Sequence, residues 1–283
     1  MTKKSLAGRR IAITGGARGI GRSTAEAFIA RGAQVVIGDI DAELVGKTAA
    51  EIAERTGGRI VGLPLDVTDS GKFETFFDAA EAELGGLDVL VNNAGIMPTG
   101  PFLEESEKLS DRQLDINLRG VIFGSKLAGT RFARRGSGHI VNIASVAGVS
   151  AAPGVAVYCA TKHAVVGLGS ALHQELAPLG VQVTTIAPGF VRTELIAGLS
   201  PNKLIEQIGV VDPEDVAEAI ANQVERGKGG LAFVPKLGGV TITALTMMPE
   251  NLRNRIYKVL GLHAVTLDSD ESVRAAYRAR TEG

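Results

Sequence analysis

From Arg10 onward, short runs of β-branched and other apolar residues alternate with longer segments whose apolar positions recur at helical spacing. This is the pattern of successive βαβ units, in which a crossover helix returns the chain to each new parallel strand. It predicts strands over residues 11–14, 34–39, 60–65, 89–92, 139–144, 181–186 and 231–234. Most are unbroken apolar runs, as strands buried on both faces require. Helices are predicted over 19–31, 42–55, 70–84, 106–135, 155–179 and 213–226. The last opens on Asp212-Pro213-Glu214-Asp215, with an acid at the N-cap, proline at the first helical position and acids in the first turn. No composition break or Ser/Pro-rich hinge interrupts this alternation. The expected fold is therefore α/β: a single doubly wound Rossmann-type domain over residues 6–234, with a seven-stranded parallel sheet flanked by helices.

After Val234 the pattern changes, and residues 235–283 are expected to form a C-terminal helical extension rather than an independent domain. The charge-free stretch 237–249 is shorter than the ~20 residues that a membrane-spanning helix needs. Residues 249–261 predict one amphipathic helix, with Leu252, Ile256, Val259 and Leu260 on one face and Arg253, Arg255 and Lys258 toward the other. The charged residues from Asp268 onward are expected to fray.

Composition narrows the function. The 36 glycines are dispersed rather than periodic, which fits many tight strand-to-helix turns. A net charge of −1 supplies no field to draw nucleic acid, so a small-molecule partner is expected and a nucleic-acid partner is not. Cys159 is the one cysteine, and no apolar leader with a small-residue cleavage site precedes Ile11. A soluble, cytoplasmic protein is the expectation. The four histidines show no metal-ligand spacing, and no metal site is expected.

The first chemical motif is Thr14-Gly15-Gly16-Ala17-Arg18-Gly19-Ile20-Gly21, which follows the first strand and opens the first helix. There a glycine-rich turn presents backbone N–H groups and a helix N-terminus to a pyrophosphate. Asp39 closes the second strand, where its carboxylate would accept hydrogen bonds from the adenosine ribose and repel a 2′-phosphate. NAD is accordingly expected over NADP. Arg18 argues the other way, since a guanidinium beside the turn suits a phosphate. Four residues apart on a predicted helix, Tyr158 and Lys162 share one face, which sets an ammonium beside a phenol. A unit charge at ~4 Å with an effective dielectric of ~20 is worth about 4 kcal/mol, the size of the shift that would bring a phenol to work as a base near neutrality.

These motifs together resemble the short-chain dehydrogenase/reductase family over about residues 6–234. The Thr-Gly-x-x-x-Gly-x-Gly spacing is met by Thr14, Gly15, Gly19 and Gly21. Asn92-Asn93-Ala94-Gly95, Asn117, Ser145 and Tyr158-x-x-x-Lys162 follow in the family's order. The resemblance implies Tyr158 as general acid/base, Ser145 holding the substrate oxygen, Lys162 bonding the nicotinamide ribose and Asn117 holding a relay water behind it. It also implies a cofactor site that includes Gly15, Arg18, Gly19, Ile20, Gly21, Asp39, Asp66, Val67, Asn93, Ala94, Gly95, Tyr158 and Lys162, closed on the nicotinamide side by Pro188, Gly189, Val191 and Thr193. Asn92 and Asn93 are expected to serve sheet structure and backbone positioning. A homodimer or homotetramer through the two longest helices is implied as well.

The substrate side falls in residues 193–211. Ile196, Leu199, Leu204 and Ile208, with Met97, Val149 and Phe190, favour an apolar substrate body. The extension is expected to cap the substrate cleft or a subunit interface in preference to lying on a membrane. The expected function is an NAD(H)-dependent oxidoreductase interconverting a secondary, lipophilic alcohol and its ketone. An NADP-dependent carbonyl or oxoacyl reductase and a non-catalytic dinucleotide-binding regulatory protein are the alternatives.

Overall fold

In a computed structural model the chain is described over residues 5–199, 206, 209–259, 261, 265, 267 and 271–282. Leu204, Ile208 and Leu260, named above, lie outside the described residues. Seven parallel strands form the sheet: β1 (Arg10–Thr14), β2 (Gln34–Asp39), β3 (Ile60–Pro64), β4 (Val89–Asn92), β5 (Gly138–Ile143), β6 (Val181–Pro188) and, after a separate strand pair, β9 (Gly230–Val234). Their spatial order is β3-β2-β1-β4-β5-β6-β9. The chain winds outward from β1 in one direction and from β4 in the other. A crevice therefore opens between the carboxyl ends of these two strands, where open α/β sheets bind ligands.

Helices cover both faces because the strands are apolar on both. On one face, α1 (Gly19–Ile29), α2 (Ala42–Thr56) and α7 (Pro213–Arg226) bury Phe28, Ile52 and Ile220 against Ile11, Ile13, Val35 and Ile37. On the other, α3 (Ser70–Leu84), α5 (Gly120–Arg135) and α6 (Ala156–Leu176) pack Phe73, Phe77, Phe132 and Leu172 over Ala12, Val36 and Leu90. Within the first layer, Arg31 ties α1 to α7 through Glu218 and Glu225. The acids expected at the start of α7 cap it, Asp212 N–H donating to Asp215 Oδ2 at 3.0 Å.

Two expectations are corrected. The predicted helix over 106–135 is three pieces, α4 (Glu107–Leu114), a π-helical turn at Asp115–Arg119, and α5. The inserted turn buries Asn117, whose amide is drawn off the helix into bonds with Ile96. The extension is also more ordered than its charge implies. It contains α8 (Lys236–Thr246), α9 (Glu250–Val259) and α10 (Glu271–Glu282). In α9 the buried side chain is Tyr257, whereas Leu252 and Val259 face outward, because the Tyr257 hydroxyl reaches Ser150 at 2.6 Å. In α10, where fraying was expected, Arg274, Tyr277 and Thr281 are buried at positions i, i+3 and i+7. The remaining strands, β7 (Phe190–Val191) and β8 (Val210–Val211), pair in parallel beside the crevice. Among the described residues, no helix is long and apolar enough to cross a membrane.

Candidate active site

The turn after β1 and the segment after β4 are locked to each other across the crevice. Thr14 Oγ1 accepts from the N–H groups of Asn93 and Ala94, both at 3.0 Å. The Asn93 amide returns two bonds of 2.9 Å, to the carbonyls of Thr14 and Gly15. Asn93 thus spends its side chain holding the glycine turn. Gly15 has φ +64°, and a Cβ there would stand 2.9 Å from the Ala94 Cα; a Cβ on Gly21 would collide with the Gly15 carbonyl oxygen. Only glycine permits this close approach, so the start of α1 is left as a cradle that fits a pyrophosphate.

At the end of β2, Asp39 accepts from the Ala17 and Asp41 N–H groups, both at 3.2 Å, and lines the crevice. Arg18 is engaged by Asp41 at 2.9 Å and by Glu194 at 3.5 Å. Beyond it, Asp66 accepts from the Thr68 N–H and hydroxyl. Val67, Ala94 and Gly95 continue the wall, and Pro188, Gly189, Val191 and Thr193 form the opposite one. The whole is one cleft of about 1450 Å³, which also takes in Ser145, Tyr158 and Lys162. Gly21 and Asn117 stand behind its lining.

Tyr158 and Lys162 lie one turn apart on α6 and are both buried, with Nζ 5.6 Å from the phenol ring centre. Lys162 Nζ donates to the Ile143 carbonyl at 2.9 Å, where β5 ends. Ser145 follows that strand end, and its hydroxyl accepts from Ala147 N–H at 3.1 Å. Asn117 accepts from Ile96 N–H and donates to the Ile96 carbonyl, both at 2.8 Å, and reaches Thr161 on α6 at 3.3 Å. It thereby fixes the segment after β4 to the helix that carries the Tyr–Lys pair.

The electrostatics differ from the sequence expectation. Burial pushes the Tyr158 phenol up, against a pull from the Ser145 hydroxyl, and Tyr277 and Cys159 add to the rise. Burial pushes Lys162 down to about 8. Desolvation is the leading cause for both groups, because both charges would be withdrawn from water.

The extension, expected to cap the substrate cleft or a subunit interface, contributes side chains to the cleft, including Tyr277 and Arg280, that the sequence did not single out. Arg274 donates to the Met97 carbonyl at 2.9 Å and to the carbonyls of Leu195 and Ala197 at 3.1 Å. Tyr277 accepts from Met97 N–H at 2.8 Å, and Arg280 meets Glu194 at 2.7 Å. Tyr257, Tyr277 and Arg280 line the cleft, as do Phe190, Ile196 and Met97 from the expected apolar set; Val149 does not. Leu199 packs behind the lining against the Met97–Tyr158 cluster. The signal for α10 was available in Arg274, Tyr277 and Thr281 at helical spacing, but the surrounding charge obscured it.

The fold is of the Rossmann type. A family model described as short chain dehydrogenase matches residues 9–204. The chain is 39% identical over 264 residues to "Probable oxidoreductase EphD" of Mycobacterium tuberculosis, covering 86% of this chain and 44% of that protein. It thus spans less than half the length of that relative. It is 38% identical to the 2,5-dichloro-2,5-cyclohexadiene-1,4-diol dehydrogenase LinX of Sphingobium indicum, covering 75% of this chain and 87% of that one. Among solved structures, a short-chain type dehydrogenase/reductase from Mycobacterium marinum superposes with a TM-score of 0.72 at 30% identity, over 81% of this chain and 95% of that one. A 3-ketoacyl-(acyl-carrier-protein) reductase from Brucella melitensis complexed with NADH gives 0.74 at 29% identity, over 81% and 98%. The chain belongs to the short-chain dehydrogenase/reductase family, a family of NAD(P)-dependent oxidoreductases.

Proposed function

We propose that the protein is an NAD(H)-dependent oxidoreductase that interconverts a secondary alcohol with an apolar body and its ketone. The observation that carries this reading is the buried pairing of Tyr158 with Lys162 on a cleft shared with Ser145 and the glycine turn. Bound NAD(H) supplies the hydride acceptor or donor. Ser145 holds the substrate oxygen. Tyr158 Oη takes the alcohol proton in oxidation and returns it in reduction. Lys162 stands beside the phenol, would hold the nicotinamide ribose and stabilises the phenolate that accepts the alcohol proton. Asn117 keeps α6 and the segment after β4 in register. A phenol that burial pushes up needs a second positive charge nearby to act as a base, and oxidised nicotinamide has that charge.

NAD is favoured over NADP because Asp39 sits at the end of β2 and Arg18, the neighbouring cation, is engaged by two carboxylates. A relative named as a diol dehydrogenase supports an alcohol as the reduced substrate. The apolar lining from Met97, Phe190 and Ile196 supports the apolar body. Tyr158→Phe is expected to leave NADH affinity within about threefold of the parent and to lower kcat by about a thousandfold. Fluorescence titration with NADH and an absorbance assay over an alcohol panel test both. Full turnover in that variant overturns the mechanism, and tighter binding of NADPH than of NADH overturns the cofactor assignment.

A further inference from the structure

Tyr277 is one of three phenols on the cleft, with Tyr158 and Tyr257, and the proposed reaction has no use for it. Its place is fixed from several sides. Its oxygen accepts the Met97 N–H at 2.8 Å, and the guanidinium carbons of Arg274 and Arg280 lie 5.2 and 5.4 Å from its ring centre. Arg274 in turn grips three backbone carbonyls, so the ring cannot drift without breaking those bonds. The bond from Met97 uses a lone pair of the hydroxyl and leaves its proton. That proton has no acceptor among the described residues. The other phenol of the extension differs, since Tyr257 is spent on Ser150 at 2.6 Å.

The surroundings make this proton consequential. The cluster around Tyr158 is apolar, built from Met97, Val155 and Cys159 with Leu195 and Ile196 packed on it. A buried hydroxyl without an acceptor in such surroundings costs about 1–3 kcal/mol, a cost removed when a ligand accepts the bond. Burial pushes the Tyr277 phenol up, which keeps it a donor across the working pH range. Tyr277 and Tyr158 line the same cleft, and charge on one opposes charge on the other.

We infer that Tyr277 is a specificity-determining residue that donates a hydrogen bond to a second oxygen on the substrate, so that the preferred substrate is an alcohol bearing a further hydroxyl or carbonyl group. This rests on the hydride-transfer reading above and deepens it. Tyr158 and Ser145 handle the oxygen that reacts, while Tyr277 reads one that does not. A monofunctional alcohol of the same shape would leave the Tyr277 proton unmatched, and sites built to bond a substrate hydroxyl discriminate strongly against analogues that lack it.

The test compares kcat/KM for cyclohexanol with those for cyclohexane-1,2-, 1,3- and 1,4-diol, in the parent protein and in Tyr277→Phe. In the parent, at least one diol is expected to exceed cyclohexanol by about tenfold or more. In Tyr277→Phe that ratio should fall to within about twofold of unity. Because each comparison is a ratio within one preparation, loss of folded protein cancels, and NADH titration reports the folded fraction independently. A ratio unchanged by the substitution, or a parent that oxidises cyclohexanol as well as every diol, overturns the inference while leaving the hydride-transfer reading intact. Absence of turnover in the parent with any alcohol, given bound NADH, overturns that reading and the inference with it.

Discussion

Lys162 carries an ammonium into a buried position on the cleft wall, and its burial lowers its pKa from 10.5 to about 8. Below about pH 8 the folded and unfolded chains both hold the proton, so the folded state bears the whole penalty, about 3 kcal/mol. Between about 8 and 10.5 the unfolded chain binds a proton that the folded chain has lost, and stability rises with pH through that window. Lys162→Met removes the charge but also the bond to the Ile143 carbonyl, worth about 1 kcal/mol. The variant is expected to be about 2 kcal/mol more stable than the parent at pH 7, with the gap closing toward pH 10. Denaturant unfolding at the two pH values checks this, and a variant less stable than the parent at pH 7 would show that the site compensates the charge. Tyr158 contributes no such cost at neutrality, since its raised pKa leaves it uncharged folded or unfolded. Tyr158 and Lys162 were legible in the sequence because helical spacing sets them on one face, and Ser145 through the family resemblance and its place after a strand end. Their proton affinities were not, because burial depends on what packs over them. The sequence reading set Lys162 to lower Tyr158, whereas the enclosure around both raises it.

At the scale of elements, those that bury a regular apolar stripe were legible. The run Val89–Asn92 has no alternation because helices cover both its faces, and Asp69 and Asp41 mark helix starts through bonds to their own first turns. What escaped are elements held by polar tertiary contacts. The π-helical turn exists because Asn117 is pulled to Ile96, and α10 is anchored by Arg274 rather than by an apolar stripe. Arg274→Met therefore tests the helix as a unit. It leaves three carbonyls without their guanidinium donor, at a cost of about 2–4 kcal/mol, comparable with what an isolated short helix can withstand. Limited proteolysis is expected to cut that variant within residues 271–282 well before the parent, while NADH affinity stays within about threefold. Equal protease resistance would mean that α10 is held by other contacts.

For the molecule as a whole, the cleft is assembled from chain segments far apart in sequence. Arg18 from the glycine turn and Arg280 from α10 converge on Glu194, with Glu194 Oε2 at 3.5 and 2.7 Å from them. A dinucleotide seated in the glycine cradle would lie beside Arg18, and Glu194 links that arginine to Arg280 on α10. Binding to a state in which α10 is docked must then stabilise that docking. Amide hydrogen exchange in residues 271–282 is expected to slow severalfold on addition of saturating NADH. Exchange unaffected by NADH would show that the two ends of the cleft are independent. The position of α10 has a further consequence for biosynthesis. Residues 271–282 leave the ribosome after every other part of the cleft, so a growing chain acquires its cofactor cradle and its Tyr158–Lys162 pair well before its substrate wall. A chain released before residue 271 would keep the glycine turn and the Tyr158–Lys162 pair but lack the part of the cleft wall that Tyr277 and Arg280 build.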